Sequence, residues 1–177
     1  MKNEQRELVK NRLNATAPTY RDSASMRIAE KLIASEAFRK AECVFVYKSF
    51  GKEVQTDRII EEAQKSGKRV CLPRIEGEDM LCLDIRTVNG FFVNEYGITE
   101  PIGGVIAEPD LIIMPLLAFD KNRKRLGRGK GFYDRFCKDS KAYLIALAYE
   151  AQRLDEVDAD VWDVKPNMIV TEEEIYL

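Results

Sequence analysis

From Gly127 to Arg135 the chain reads Gly-Arg-Gly-Lys-Gly-Phe-Tyr-Asp-Arg, a run whose residue types and spacing offer chemistry directly. Glycines at alternate positions lack Cβ atoms, so backbone N–H groups can approach an oxyanion closely. A helix beginning near Gly131 would add its positive N-terminal end. Arg125, Arg128 and Lys130 supply charge able to neutralise phosphate oxygens. Asp134, one turn into that helix, is placed to hold a magnesium ion, which takes few carboxylates and completes its shell with water and a substrate's phosphates. The run is not a Walker loop. That motif needs Ser or Thr after Gly-Lys, and here Gly131 follows.

Charge distribution supports an anionic ligand. Between Asp120 and Lys138 eight basic residues face two acidic ones, leaving a local charge of +6 in a chain whose net charge is -2. From Glu150 to the C-terminus nine acidic residues face only Arg153 and Lys165. Other chemistries are excluded by composition. The 177 residues contain no histidine, which removes a Ser/His or Cys/His couple, a histidine base and a His-ligated zinc. Four cysteines, Cys43, Cys71, Cys82 and Cys137, stand far apart with no CxxC pair, as in a reduced, cytoplasmic protein. The longest apolar stretch, Leu111 to Phe119, falls far short of the roughly 20 residues that span a membrane, and no leader is read at the N-terminus.

Elements must position these residues. Glu4 to Asn14 has Leu8, Val9 and Leu13 at helical spacing; Ala17-Pro18 interrupts, and Ser23 or Ser25 is the expected cap of a second amphipathic helix carrying Ile28, Leu32 and Phe38. The period then changes. Cys43 to Tyr47, Arg69 to Leu72, Met80 to Arg86, Leu111 to Met114, Tyr143 to Leu147 and Met168 to Val170 read as strands, and Thr56 to Ser66 as a helix ended by Gly67. Such βαβ alternation predicts an α/β fold: a three-layer α/β/α sandwich around a mainly parallel sheet. With no linker or repeat, residues 1–177 form one expected domain.

With those stretches in view, the sequence resembles the 5-formyltetrahydrofolate cyclo-ligases, also called methenyltetrahydrofolate synthetases, along nearly its whole length. The likeness is carried by Lys2 to Arg6, Tyr47 through Glu53 to Thr56, Gly67 to Arg74, Tyr96 to Pro101, and Pro115 through Asp120 to Arg125–Arg135. The resemblance implies ATP-dependent closure of 5-formyltetrahydrofolate to 5,10-methenyltetrahydrofolate, with Mg2+ required and ADP and phosphate released. It also implies roles by position. Lys2, Arg6 and the loop Arg125, Leu126, Gly127, Arg128, Gly129, Lys130, Gly131, Phe132 and Tyr133 would bind ATP. Lys48 and Glu53, with Arg128 to Phe132, would meet the folate. Asp134 and Asp163 would hold the metal, and Arg128 and Lys130 would act in catalysis. The chain departs from the family pattern at Trp162, where His is common, at Asn167, where Asp is frequent, and at Phe132, usually Tyr. Trp162, the only tryptophan, is expected in the core.

The implied chemistry needs no histidine. A formamide carbonyl is a poor electrophile, so its oxygen is first phosphorylated by ATP, and N10 of the same folate then attacks with the advantage of an intramolecular nucleophile. The partners implied are 5-formyltetrahydrofolate and ATP, with a monomer expected and neither nucleic acid nor membrane. A rival reading takes residues 121–135 as a nucleic-acid-binding face, its cations on phosphates and Phe132 and Tyr133 stacked on bases. Against it stand the acidic whole and the acidic tail, which would repel a long polyanion.

Overall fold

The structure, a computed structural model, describes residues 1–177. Helices α1 (Lys2–Ala15), α2 (Pro18–Ala34) and α3 (Glu36–Lys40) lead into strand β1 (Cys43–Val46); α4 (Asp57–Lys65) then carries the chain to β2 (Arg69–Glu76) and β3 (Asp79–Asp84). A hairpin, β4 (Gly90–Val93) and β5 (Thr99–Ile102), precedes β6 (Leu111–Pro115). A second, smaller hairpin, β7 (Ala118–Phe119) and β8 (Arg125–Leu126), is followed by α5 (Phe132–Cys137), β9 (Tyr143–Leu147), a 3-10 turn at Glu150–Gln152, β10 (Met168–Val170) and β11 (Ile175–Tyr176).

Seven strands form one sheet in the order β11-β10-β9-β6-β1-β2-β3. The five inner strands are parallel, and the edges β3 and β11 run antiparallel to their neighbours. Alternation sorts the side chains onto two faces. Val44, Val46, Ile113 and Ile145 pack under Val9, Ile28, Leu32 and Ile59 of the long helices. Phe45, Ile112, Met114 and Ala146 face the other way, where Phe136 and Cys137 of the six-residue α5 and surrounding coil cover them. The sandwich is thus lopsided, with four helices on one face and one short helix on the other.

Two expectations change. The second helix starts at Pro18, whose fixed φ and missing N–H suit the first turn, while Ser25 lies buried in the helix interior. Ser35 breaks that helix before α3, its side chain accepting a hydrogen bond from the Phe38 amide. No helix is long and apolar enough to cross a membrane.

The strand order positions the site. From β1 the chain moves one way across the sheet to β2 and later returns to the other side of β1 to add β6, so the connections leaving β1 and β6 diverge. Divergence opens a crevice above the carboxyl ends of these two strands, the place where parallel sheets bind ligands. The loops leaving β1 and β6 carry Glu53 and the glycine run respectively.

Candidate functional site

The loop after β1 is fixed by a relay of buried hydroxyls. The Gln55 amide donates to Ser25 Oγ at 3.0 Å, Ser25 Oγ lies 2.9 Å from Tyr149 Oη, and Tyr149 Oη donates to the Glu53 carbonyl at 3.1 Å. Because Tyr149 has only one proton and gives it to Glu53, Ser25 must donate to Tyr149, which sets the direction of the whole chain. So held, the Glu53 side chain turns inward and is only 12% exposed. Its carboxylate accepts from the Phe50 amide and from Arg128 Nη2, each at 3.1 Å. Burial pushes the Glu53 carboxyl above its usual range, and the Phe50 amide and Arg128 pull it back only partly. Arg128 also lies over the Phe50 ring, 4.6 Å from its centroid. A small cavity of about 40 Å³ opens between Glu53, Arg128, Tyr47 and Leu116.

Across the crevice, the β7–β8 turn is tied down by buried Asp120, which accepts from the amides of Asn122, Lys124 and Val157 at 2.8, 3.1 and 3.0 Å. This turn delivers Arg125 into the interior, where its side chain is 3% exposed and Nη2 bonds Asp134 Oδ1 at 2.6 Å. Arg125 Nε has no partner. The loop beyond depends on glycine at two points. Gly129 (φ +101°) and Gly131 (φ +71°) lie in the left-handed region, and a Cβ on Gly131 would meet Arg135 Nη1 at 2.8 Å. The first turns of α1 pack on this loop: Arg6 Nε donates to the Gly127 carbonyl at 3.0 Å, and Lys2 Nζ reaches Asp160 at 2.5 Å and Asp163 at 3.1 Å. Burial opposes ionisation of Asp163, but the Asp160 amide and Lys2 outweigh it and hold its carboxyl below the usual value.

A model of the 5-formyltetrahydrofolate cyclo-ligase family matches residues 1–172. The chain belongs to that family. Membership makes it a ligase. It is 29% identical over 183 residues to 5-formyltetrahydrofolate cyclo-ligase from Mus musculus, covering 93% of this chain and 90% of the relative. Identity is 31% over 169 residues to the protein of the same name from Haemophilus influenzae, covering 89% and 90%. Among solved structures, the NMR structure of Aquifex aeolicus 5,10-methenyltetrahydrofolate synthetase superimposes with a TM-score of 0.86 at 30% identity, covering 98% of this chain and 91% of that one.

Most residues expected at the site converge on the crevice. Arg6 bonds the Gly127 carbonyl and lies beside Gly129, Lys2 holds Asp160 and Asp163, Arg125 holds Asp134, and the Arg128 side chain reaches from the same loop to Glu53. Lys130 is exposed with no side-chain partner. Phe132 and Tyr133 begin α5 and pack against the second core face, and burial raises the Tyr133 phenol far above its usual value. Here only Trp162 is placed against expectation. The Leu126 side chain is buried in the core, which leaves only its backbone for a ligand. Lys48 pairs with Asp57 at the start of α4. Trp162 is 72% exposed on the loop between Asp160 and Asp163, not in the core.

Three cations of the basic run are engaged within the chain, while Lys121, Lys130 and Lys138 stay exposed. Arg125 is buried on Asp134, Arg128 turns to Glu53, and Arg135 bonds the Glu78 and Lys130 carbonyls. Asp160 and Tyr149 contact expected site residues without being singled out by the sequence reading, and Ser25, which supports Tyr149, is read there only as a helix cap. Only Asp160 leaves a sequence signal, an acidic residue three positions before Asp163.

No group of three or more Cys, Asp or Glu side chains is arranged to hold a metal. Two carboxylates nevertheless suit magnesium. Asp134 uses Oδ1 for both Arg125 and the Val164 amide, and Asp163 uses Oδ2 for both Lys2 and the Asp160 amide, so each keeps one oxygen without a protein donor. A hard cation that needs few carboxylates and otherwise takes water and phosphate oxygens fits this set.

Proposed function

We propose that the chain, acting as one domain, closes 5-formyltetrahydrofolate to 5,10-methenyltetrahydrofolate with ATP consumed to ADP and phosphate, in the crevice above β1 and β6. The observation that carries this reading is the convergence there of a glycine loop, the cationic first turns of α1 and the inward-facing Glu53 carboxylate.

Lys2, Arg6 and the loop amides hold the nucleotide phosphates. Glu53, with Lys48 at the rim, orients the folate so that its formyl oxygen faces the terminal phosphorus. That oxygen forms a bond to phosphorus as the bond to ADP breaks. N10 then attacks the activated carbon and gives up its proton to the departing phosphate, which carries away the former formyl oxygen. Arg125, Arg128 and Lys130 face the charge that builds on the transferring group, the kind of preorganised stabilisation on which phosphoryl transfer depends. Mg2+ held by Asp134 and Asp163 would neutralise nucleotide phosphate charge. Phe132 keeps a ring at a position where the family usually has Tyr, sufficient for packing on a flat substrate. The thiol-rich, disulfide-free core fits a reducing, cytoplasmic setting.

Formation of the methenyl chromophore from 5-formyltetrahydrofolate, followed with ATP and Mg2+ omitted in turn, tests the reading. Turnover that needs both supports it, and turnover that needs neither overturns it.

A further inference from the structure

Two cations expected at the nucleotide phosphates are already paired. Lys2 is shared by Asp160 and Asp163, and Arg125 is held by Asp134 inside the protein. Metal-free ATP or ADP, strongly anionic, can reach the unpartnered Arg125 Nε and a third Lys2 N–H, but only beside carboxylates that already share the charge of both cations. Three acidic groups would then stand only partly compensated beside its phosphates, and with Arg125 buried water screens the repulsion at the Arg125–Asp134 pair weakly. A nucleotide that brings a divalent cation changes the exchange. Asp134 and Asp163 each have an oxygen free to take the new charge as Lys2 and Arg125 turn to phosphate. Asp160 is more exposed than Asp163 and contributes a carboxylate that touches only Lys2.

We propose that Asp160, Asp163 and Asp134 are specificity-determining residues that make this site discriminate against metal-free nucleotide and select its metal complex. Asp160 acts solely as a competitor for Lys2; Asp163 and Asp134 compete for the cations and also receive the metal. The proposal rests on the nucleotide reading given above.

The test is ADP binding by calorimetry to the wild-type chain and to Asp163→Asn, Asp160→Asn and Asp158→Asn, in EDTA and in Mg2+. Asp158 lies on the same segment but its carboxylate pairs with neither cation. In EDTA, Asp163→Asn and Asp160→Asn bind ADP about three- to tenfold more tightly than wild type, the range for releasing a partly exposed pair, while Asp158→Asn is unchanged. In Mg2+, Asp163→Asn loses the metal's enhancement of ADP affinity, whereas Asp160→Asn keeps it. If neither variant gains metal-free affinity, or Asp158→Asn gains as much, the proposal is overturned and the aspartates act as ligands or as a general field. If no protein binds ADP under either condition, the nucleotide reading falls first and takes the proposal with it.

Discussion

Arg128 stands between the two halves of the proposed reaction, with one nitrogen on Glu53, its plane over Phe50 and its remaining donors open to the crevice. Replacing it with alanine should lower kcat by about 10² to 10³-fold, the scale for losing one positioned donor to a developing anion, with a smaller change in nucleotide affinity. Lysine should fall between the two, since an ammonium cannot meet two oxygens with a planar fork. Initial-rate kinetics on both variants decide this, and an alanine variant that turns over at the wild-type rate removes Arg128 from the mechanism. Glu53 supplies the complementary case. Its folded pKa is raised above the ordinary 4.5, so folding favours the protonated form; its contribution to stability is greatest below the unfolded pKa and falls as pH rises through the folded value. Glu53→Gln should therefore leave the thermal midpoint at pH 8 equal to or above wild type, while kcat/KM for the folate drops. A midpoint several degrees lower would mean that pairing with Arg128 outweighs the cost of burial. The glycine loop was legible in sequence because its spacing is local. Asp160 was not, because its relevance rests on Lys2, brought to it only by the fold.

At the scale of elements, the loop carrying Glu53 is only as well placed as the relay beneath it. Tyr149→Phe removes one oxygen from a fully buried position and strands both the Glu53 carbonyl and the Ser25 hydroxyl. The expected cost is about 1–3 kcal/mol in denaturant unfolding, together with a raised folate KM and a smaller change in nucleotide affinity. Unchanged folate KM in a destabilised variant would show that the relay holds the core and not the site. A second element-scale expectation concerns the clamp between α1 and the loop bearing Asp160. Lys2 is raised above 10.5, chiefly by its bond to Asp160, and Asp163 is lowered below 3.8. The lysine's contribution is complete below 10.5 and lost as pH rises through its folded value; the aspartate's is complete above 3.8 and lost as pH falls through its own. Between the lower limit and the ordinary range of an α-amino group, about 8, hydrogen exchange of the hydrogen-bonded α1 amides from Gln5 onward, corrected for intrinsic rate, should be flat with pH. The inner strands were readable because burial on both faces makes them continuous apolar runs. The β7–β8 hairpin was not, since two-residue strands carry no period. Neither was β4–β5, whose turn is built by Asn94 accepting from the Tyr96 and Ile98 amides.

For the molecule as a whole, the lopsided sandwich puts all four cysteines on the thinner side. Cys43, Cys71, Cys82 and Cys137 belong to the core face covered by α5 and coil, and all are buried and unpaired by disulfides. Desolvation pushes the Cys43 thiol up to about 12 and the Cys137 thiol up to about 11, while a hydrogen bond to Cys82 and burial push Cys71 higher still. The thiolate is the reactive species, so folding withholds reactivity in two ways, by access and by ionisation. Sequence alone shows four separated cysteines and no disulfide pattern; it does not show that strand register sets Cys43 and Cys71 with their sulfurs 3.8 Å apart. A chromogenic disulfide reagent at pH 8 should accordingly find almost no thiol in the native chain and four in denaturant. Labelling should remain slow even though α5, the principal helical cover of this face, is only one and a half turns long. Its rate separates two kinds of opening. If it tracks global unfolding as denaturant is raised, α5 and the coil open only with the sheet, and the thinner face is as cooperative as the thicker one. If Cys137 on α5 labels well ahead of Cys43 and Cys71, that face opens by itself, and the loop leading into α5, with Arg128 and Asp134 at its end, loosens with it.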